Sequence, residues 1–365
     1  MSTQTTFMLP VLFTATLALP VAAEQITASA AKAAPQQAMQ QLVQSKVKAN
    51  EPGFTVIVRK GDKVLLRGGY GQANLELAVP MQADSNMRLA SLTKQFTAVA
   101  VLQLVHEGKI TLQHKVGQVL PEYPAVGRDI TIHQLLTHSS GIPNLSRMPE
   151  FKENKAKDAE LPELLQLFSA KPLQFKPGSR FNYSNSNYVL LSAIIEKASG
   201  QTYSDYLQQH IFQPLGMKDT MYDSATALIN KRVSGYEQTA TGFRNADAIS
   251  MTRPRGAGAL RSTVDDLNRW DQALYTNELV PQPLLQQSFD MHPSNDGQPL
   301  PYGYGWMMAD LAGAVTHEHS GGIDGFSSYV IRVPSQKVYV AVLANTGTFD
   351  SYTMAVKLAA MAIGQ

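Results

Sequence analysis

The chain has 365 residues, of which 44% are apolar and 16% are charged, and this apolar share excludes a disordered chain. The formal net charge is +2 and no basic run is longer than a pair, so neither a nucleic-acid-binding surface nor an anionic-membrane-binding surface is indicated. Cysteine is absent, which excludes disulfide scaffolds, cysteine-ligated metal sites and cysteine nucleophiles. The length suggests two domains, or one large domain with an insertion.

The N-terminus has the composition of an export signal. Residues 1–23 contain no charged side chain, and the apolar run from Phe7 ends in small residues before Glu24. This pattern predicts a signal peptide over residues 1–23, cleaved after Ala23, and hence a periplasmic or secreted protein. The run is short for a membrane span and contains proline, so stable membrane insertion is not expected. No Lys or Arg precedes it, which leaves a retained anchor as the alternative.

Local patterns predict the next elements in chain order. An Ala/Gln/Ser-rich leader over residues 24–36 precedes a helix predicted over Gln37–Val47. Two strand-like runs joined by Gly61-Asp62 predict a hairpin, with a third strand after it. A helix that is apolar on every side follows and is expected to be buried, ending before Gly108. The predicted bounds are Phe54–Lys60, Lys63–Gly69 and Gln72–Val79 for the strands, and Leu92–Val105 for the buried helix.

The middle of the chain is predicted to be mostly helical, and the last hundred residues mostly strand. The charged stretch Arg147–Glu160 is interpreted as a solvated loop. Short turns between the C-terminal strands predict an antiparallel meander, followed by a helix from Tyr352. The predicted helices are Ile132–Leu136, Leu161–Phe168, Tyr188–Ala198 and Tyr203–Ile211, and the predicted strands are Tyr302–Met308, Ala314–His319, Phe326–Val333 and Val338–Asn345.

These elements predict an α+β fold class. Neither the hairpin nor the meander makes a complete sheet alone, so we expect one antiparallel sheet built from N- and C-terminal segments and flanked by helices. In this interpretation residues 37–110 and 255–365 form an α/β domain. Residues 111–254 then form an inserted, mostly helical domain.

The pattern S-x-x-K occurs three times, and its context separates the copies. Ser29 lies in the leader and Ser45 on a polar helix end, whereas Ser91 opens the buried helix, with Lys94 one turn on. Residues three apart share a helix face, so the Lys94 amine can reach the Ser91 hydroxyl. Burial lowers the pKa of a lysine and makes it a usable base. The alternative is that Ser91 caps the helix and Lys94 extends to solvent.

Two further triplets carry chemically useful groups. Tyr183-Ser184-Asn185 lies in a polar turn before a predicted helix, and His319-Ser320-Gly321 closes a predicted strand and leads into Gly322. The alternatives are an ordinary loop aromatic for Tyr183 and, for His319, a strand-end histidine bonded to the backbone.

In order along the chain, the three motifs resemble those of the penicillin-recognising serine hydrolases. This group contains class C β-lactamases, serine D-Ala-D-Ala peptidases and family VIII carboxylesterases. The likeness spans roughly residues 40–360 and implies a β-lactamase/transpeptidase-like fold. Flanking stretches typical of the group are Leu135-Leu136-Thr137-His138-Ser139-Ser140-Gly141-Ile142-Pro143 and Gly256-Ala257-Gly258-Ala259-Leu260.

The resemblance implies two-step acyl transfer through an acyl-enzyme on Ser91. Lys94 and Tyr183 would share the acid and base work, while Asn185 orients Lys94 or the substrate. The oxyanion would be held by the backbone N–H groups of Ser91 and Gly322. No metal and no organic cofactor are implied. The third motif would bind substrate through His319, Ser320 and Gly321.

Two departures from the pattern shape the expected substrate. The third motif carries His319 where class C β-lactamases usually have a lysine, and an unperturbed histidine is mostly neutral at pH 7. No arginine follows Tyr302-Gly303-Tyr304-Gly305, although Arg253 or Arg255 could supply a cation from another loop. Esterase-type hydrolysis is therefore favoured, with D-Ala-D-Ala carboxypeptidase or weak β-lactamase activity as the alternative.

The sequence also allows two interpretations other than serine catalysis. The scaffold could be a catalytically idle ligand sensor, because fold does not fix function. His317-Glu318-His319 could bind a metal, since the two histidines share one strand face. The expected partner is a small-molecule or peptide substrate, and nothing in the sequence indicates an oligomeric state.

Overall fold

The computed structural model describes Met1 and residues 35–365. The predicted signal peptide and nearly all of the predicted leader therefore lie outside the described residues. Within the described part, no helix is long and apolar enough to cross a lipid bilayer.

The strands and helices follow the α+β pattern expected from the sequence. The strands are β1 Phe54–Lys60, β2 Lys63–Tyr70, β3 Gln72–Asn74, β4 Val79–Pro80, β5 Met87–Arg88, β6 Met221–Tyr222, β7 Tyr236–Thr239, β8 Gly242–Asn245, β9 Leu260–Ser262, β10 Met307–Leu311, β11 Ala314–Ile323, β12 Phe326–Val333 and β13 Val338–Ala344. The helices are α1 (residues 35–44), α2 Thr93–His106, α3 Val116–Val119, α4 Ile132–Leu136, α5 Pro149–Glu153, α6 Leu161–Phe168, α7 Asn185–Ser199, α8 Tyr203–Leu207, α9 Val264–Ala273, α10 Gln282–Leu285 and α11 Ser351–Ile363.

The main sheet joins the two ends of the described chain. Its six strands lie in the order β10-β11-β12-β13-β1-β2, and every neighbouring pair is antiparallel. The pairing of β1 with β13 confirms that the N-terminal hairpin and the C-terminal meander form one sheet. Smaller sheets are formed by β3-β4, β5-β9-β6 and β7-β8. The domain boundaries near residues 110 and 255 stay predictions.

Both faces of the main sheet are buried. On β13, Val340 and Val342 pack with residues of α1 and α11, whereas Ala341 and Leu343 belong to the large core on the other side. Alternate residues of a strand point to opposite faces, so a continuous apolar run fits a sheet covered on both sides. Helix α2 lies within the large core, with apolar and polar side chains alike buried from Thr93 to Leu104. The sequence prediction of a fully buried helix here is confirmed.

Four predicted segments differ most from the structure. The predicted strand Ala314–His319 continues to Ile323, so His319-Ser320-Gly321 lies within β11 and does not close it. The predicted strand Gln72–Val79 is divided into β3 and β4, because the chain turns between them and Ala78 has a positive φ of 50°. Tyr302–Met308 becomes regular strand only at Met307, since Gly305 turns with φ 81° against α2. The predicted helix Tyr203–Ile211 is α-helical only to Leu207 and continues as one π turn.

The interpretation of Arg147–Glu160 as a solvated loop is wrong in part, because most of its charged side chains are exposed but the segment contains a helix and buried apolar side chains. Pro149 begins helix α5, as expected for proline in a first turn, and Phe151 is buried under it. Two buried apolar side chains among many charges, Phe151 and Ala159, help to fix the segment against the protein. Its charged residues are thereby brought beside Ser91, as described next.

Candidate active site

A single 3₁₀ turn, Ala90–Leu92, leads from β5 into α2 and carries Ser91. Ala90 adopts a positive φ of 50°, which is uncommon outside glycine. The Leu89 carbonyl oxygen accepts hydrogen bonds from the Leu92 N–H (3.3 Å) and from Ser328 Oγ on β12 (3.0 Å). The turn is thus held against the main sheet, with Ser91 next to the N-terminus of a long helix, where partial positive charge favours a developing anion.

Lys94 is fully buried and lies beside Ser91. Its Nζ is 3.1 Å from Ser91 Oγ, 2.9 Å from Asn185 Oδ1 and 2.7 Å from the Ala257 carbonyl oxygen. None of these groups is a carboxylate, so burial alone dominates and lowers the pKa of Lys94 well below its ordinary value. The free amine is therefore favoured, and a free amine can accept the Ser91 proton.

Tyr183 approaches the same hydroxyl from the turn before α7. Burial raises the pKa of Tyr183, and its hydrogen bond with Ser91 opposes that rise only in part. Lys94 Nζ lies 4.9 Å from the centre of the Tyr183 ring. The phenol is therefore neutral near pH 7 and keeps a proton that it can donate.

Asn185 orients the Lys94 side chain through a hydrogen bond. Its Oδ1 accepts from Lys94, and its Nδ2 donates to Ser146 Oγ over 3.1 Å. The Asn185 backbone N–H donates to Asn144 Oδ1 over 3.2 Å. Ser146 and Asn144 were not predicted from the sequence, because they belong to a turn about forty residues before Asn185 with no motif of its own.

The His319 ring is bonded to protein groups at both nitrogens. Nδ1 lies 2.6 Å from the Ser320 carbonyl oxygen and Nε2 lies 2.8 Å from Tyr302 Oη. A carbonyl can only accept, so Nδ1 carries the proton and Nε2 accepts from Tyr302. Burial is the main cause that lowers the pKa of His319 to about 3. The third motif therefore presents a neutral ring at physiological pH.

Gly321 of the third motif and Gly322, which follows it, differ in their surroundings. A Cβ on Gly321 would lie 2.2 Å from Ser328 Oγ and 2.4 Å from the Leu89 carbonyl oxygen, so only glycine lets β11 approach the Ser91 turn this closely. Gly322 is exposed, with nothing within 4 Å of such an atom, and Ser320 is also exposed.

A cavity of about 280 Å³ opens beside Ser91. Ser91, Asn185 and Gly322 line it, whereas Tyr183 and His319 do not. Part of its lining comes from residues 151–155 and 249–254. Its lining includes Ser146, Phe151, Lys152, Lys155, Arg253 and Asp324.

His138 is a site residue that sequence reasoning did not single out. The ring is buried, and its centre lies 4.3 Å from that of Tyr183 and 4.7 Å from that of Tyr302. Its Nδ1 accepts from the Ser184 N–H over 3.2 Å. His138 thus supports the turn that carries Tyr183. The only signal in the sequence was its place in the flanking stretch after α4.

Two residues named as candidates from the sequence do not take the roles considered for them: Arg255 as a cation for the substrate, and His317 as a metal ligand. Arg255 donates to Glu196 Oε1 over 2.5 Å and does not line the cavity. His317 stacks on Phe289 at 4.5 Å between ring centres, and among the described residues neither His317 nor His319 belongs to a cluster of three or more potential metal ligands.

Comparisons with known proteins agree with this geometry. The family model described as Beta-lactamase matches residues 36–361. A penicillin-binding protein of Bacillus subtilis (strain 168) is 30% identical over 328 residues, which cover 84% of this chain and 71% of that protein. Protein flp of Staphylococcus aureus (strain MW2) is 32% identical over 82% of this chain, and the match spans only 60% of its own length.

Solved structures show the same fold. A D-stereospecific amidohydrolase from Streptomyces sp. superposes with a TM-score of 0.77 at 27% identity, covering 90% of this chain and 99% of that one. An octameric penicillin-binding protein homologue from Pyrococcus abyssi superposes with a TM-score of 0.74 at 27% identity, covering 95% of this chain and 78% of that one. The chain therefore belongs to the beta-lactamase family and is a serine hydrolase of the penicillin-recognising superfamily.

Proposed function

We propose that the protein hydrolyses esters of short acyl groups, and related amides more slowly, through an acyl-enzyme on Ser91. The observation that carries the proposal is the buried Lys94 amine, 3.1 Å from Ser91 Oγ and without a carboxylate partner among the described residues. A base of this kind turns an ordinary serine hydroxyl into a nucleophile.

In the proposed acylation, Lys94 takes the Ser91 proton as Oγ attacks the substrate carbonyl. The negative charge that forms on the carbonyl oxygen is held by the backbone N–H groups of Ser91 and Gly322, each worth about 3–4 kcal/mol in such sites. Tyr183 gives its proton to the departing oxygen or nitrogen and recovers one from Lys94. Water then attacks the acyl-enzyme by the reverse proton path. Lys94 is thus the principal base and Tyr183 the proton donor.

The neutral third motif supports the preference for esters. D-Ala peptides and β-lactams carry a carboxylate on the part that faces this motif, and a neutral ring bonded at both nitrogens offers that carboxylate no cation. Esters with uncharged leaving groups lose nothing by this.

Amide hydrolysis is the second candidate, supported by the similarity to the Streptomyces D-stereospecific amidohydrolase. An idle ligand sensor is disfavoured, because Ser91, Lys94 and Tyr183 are all present and in contact.

The test is the Ser91→Ala variant assayed on p-nitrophenyl butyrate. We expect hydrolysis to be lost, while the matched control Ser45→Ala, at an exposed serine of the same S-x-x-K pattern, keeps full activity. A fluorophosphonate adduct should be found by mass spectrometry on the peptide that contains Ser91. Activity that persists in Ser91→Ala, or an adduct on another serine, would overturn the proposal.

We also propose export, with mature protein beginning at Glu24. The support is the uncharged apolar run that ends in small residues. N-terminal sequencing of protein from the cell envelope or medium should give Glu24, and an intact Met1 in the cytosolic fraction would contradict export.

A further inference from the structure

The cavity beside Ser91 carries more positive than negative charge. Lys152, Lys155 and Arg253 line it, against one carboxylate, Asp324. Lys155 is already paired, since its Nζ lies 2.5 Å from Asp324 and 3.2 Å from Asp247. Among the described residues, neither Lys152 nor Arg253 forms an ion pair, so the excess charge of the cavity rests on these two side chains.

Of the two residues, Arg253 is the stronger candidate for binding an anion. It is only 7% exposed, yet the one side-chain hydrogen bond that it makes within the described chain runs from Nε to the Lys157 carbonyl oxygen (2.7 Å). Its guanidinium carbon lies 5.9 Å from the centre of the Phe151 ring. Burial lowers its pKa, and the fields of Glu163 and Asp158 only partly offset this without an ion pair. Arg253 also lines a neighbouring cleft with Asp158 and Glu163, so the residue lies between that acidic cleft and the cavity beside Ser91. Its two Nη atoms have no hydrogen-bond partner among the described residues and are free to bind an anion.

The position of the cavity indicates which part of the substrate would contact Arg253. Tyr183, the proposed donor to the leaving group, and His319 lie outside the cavity lining. The leaving group must depart towards Tyr183, so the cavity is left for the part that stays on Ser91. Arg253 and Lys152 therefore face the acyl group.

We infer that the acyl group of the substrate carries a carboxylate, bound by Arg253 together with Lys152. The inference rests on the proposed acyl-enzyme at Ser91 and adds the charge of its acyl part. Arg253 would hold the carboxylate through the free nitrogens of its guanidinium, which suits two parallel hydrogen bonds. Lys152, exposed on α5, would add a second cation from the rim. The inferred substrate therefore has an uncharged leaving group and a negatively charged acyl group.

The test compares two p-nitrophenyl esters that differ in one charge. Mono-p-nitrophenyl adipate carries a terminal carboxylate, and methyl p-nitrophenyl adipate carries a neutral ester in its place. We expect kcat/KM of the wild-type protein to favour the anionic ester at low salt, and Arg253→Gln to lower the ratio of anionic to neutral by about tenfold or more, as for a lost hydrogen bond to a charged group. Lys152→Gln should lower it by about threefold. Lys218→Gln, at an exposed lysine that does not line the cavity, is the matched control and should leave the ratio unchanged.

A folding defect would not mimic this result. Arg253 also holds the Lys157 carbonyl, so loss of structure would depress both esters together, whereas loss of a charge contact changes their ratio. Arg253→Lys, which keeps the charge, should retain most of the anionic preference.

A binding measurement separates the inference from the proposed function. Calorimetry on Ser91→Ala with both adipate esters needs no turnover. Tighter binding of the anionic ester, lost in Ser91→Ala/Arg253→Gln, would support the anion site even if the wild type proved inactive. Equal binding of the two esters, or an unchanged ratio in Arg253→Gln, would overturn the inference while leaving hydrolysis at Ser91 intact.

Discussion

Replacing Gly321 by alanine should disturb the nucleophile without touching it. The new Cβ would lie 2.4 Å from the Leu89 carbonyl oxygen, and a Cβ needs at least 3.0 Å, so the backbone before Ser91 must retreat by about half an ångström or more. The second close contact, with Ser328 Oγ, removes the donor that holds the same carbonyl in place. Overpacking of this kind costs about 1–3 kcal/mol of stability. A nucleophile displaced by up to 1 Å loses about 100-fold in rate.

The assay is kcat/KM on p-nitrophenyl butyrate, together with urea unfolding. Gly347→Ala is the matched control, because Gly347 is exposed, has no neighbour within 4 Å of an added Cβ and lies outside the site. We expect the Gly321→Ala protein to remain folded with about 100-fold lower kcat/KM, and the control to match the wild type. Full activity and full stability in Gly321→Ala would refute the claim that this glycine sets the distance between β11 and the Ser91 turn.

Three further predictions concern the buried ionisable residues Lys94, His319 and Asp271. Because burial lowers the pKa of Lys94, kcat/KM for a neutral ester should rise with pH through an apparent pKa below the usual ~10.4, which a pH-rate profile measures. The pKa of His319 is about 3 in the folded protein and ~6.5 when unfolded, so the unfolded chain takes up the proton first. Stability should therefore fall with decreasing pH between these values, by up to about 1.4 kcal/mol per pH unit, and His319→Gln should show a shallower fall in urea unfolding at pH 7 and pH 5. Asp271 is fully buried between Arg59 and Arg332, so Asp271→Asn should cost about 3–5 kcal/mol in urea unfolding, whereas Asp265→Asn, which breaks the exposed pair with Arg67, should cost under about 1 kcal/mol.

Much of the fold could be predicted from local patterns. Local sequence alone predicts the strand-like runs of β1 and β2, the glycine turn between them and the continuous apolar run of α2, and the structure confirms each of them. That the hairpin and the meander share one sheet was predicted from the need to complete a sheet, but the pairing of β1 with β13 was not. The bends at Ala78 and Gly305 could not be predicted, because they depend on which distant surface the chain packs against.

The cavity lining was hidden from sequence reasoning for a related reason. Arg147–Glu160 is rich in charge, and charge is ordinarily a sign of solvent. What decides its position is Phe151 packing into the core and Lys155 pairing with Asp324, 169 positions away. His138 was obscured in the same way, since its contacts with Tyr183 and Tyr302 join three separate parts of the chain.

The pairing of β1 with β13 also constrains when the protein can fold. The Gly53 N–H donates to Asn345 Oδ1, 292 positions further along, so the centre of the main sheet forms only once nearly the whole chain is available. Contacts of such high sequence separation slow folding, because the entropy of closing the loop is lost before the contacts form. Until then, the hairpin of β1 and β2 leaves one edge open to pairing with another chain. A chain shortened before Val338 keeps that edge permanently exposed, and we expect it to aggregate rather than fold into a smaller hydrolase.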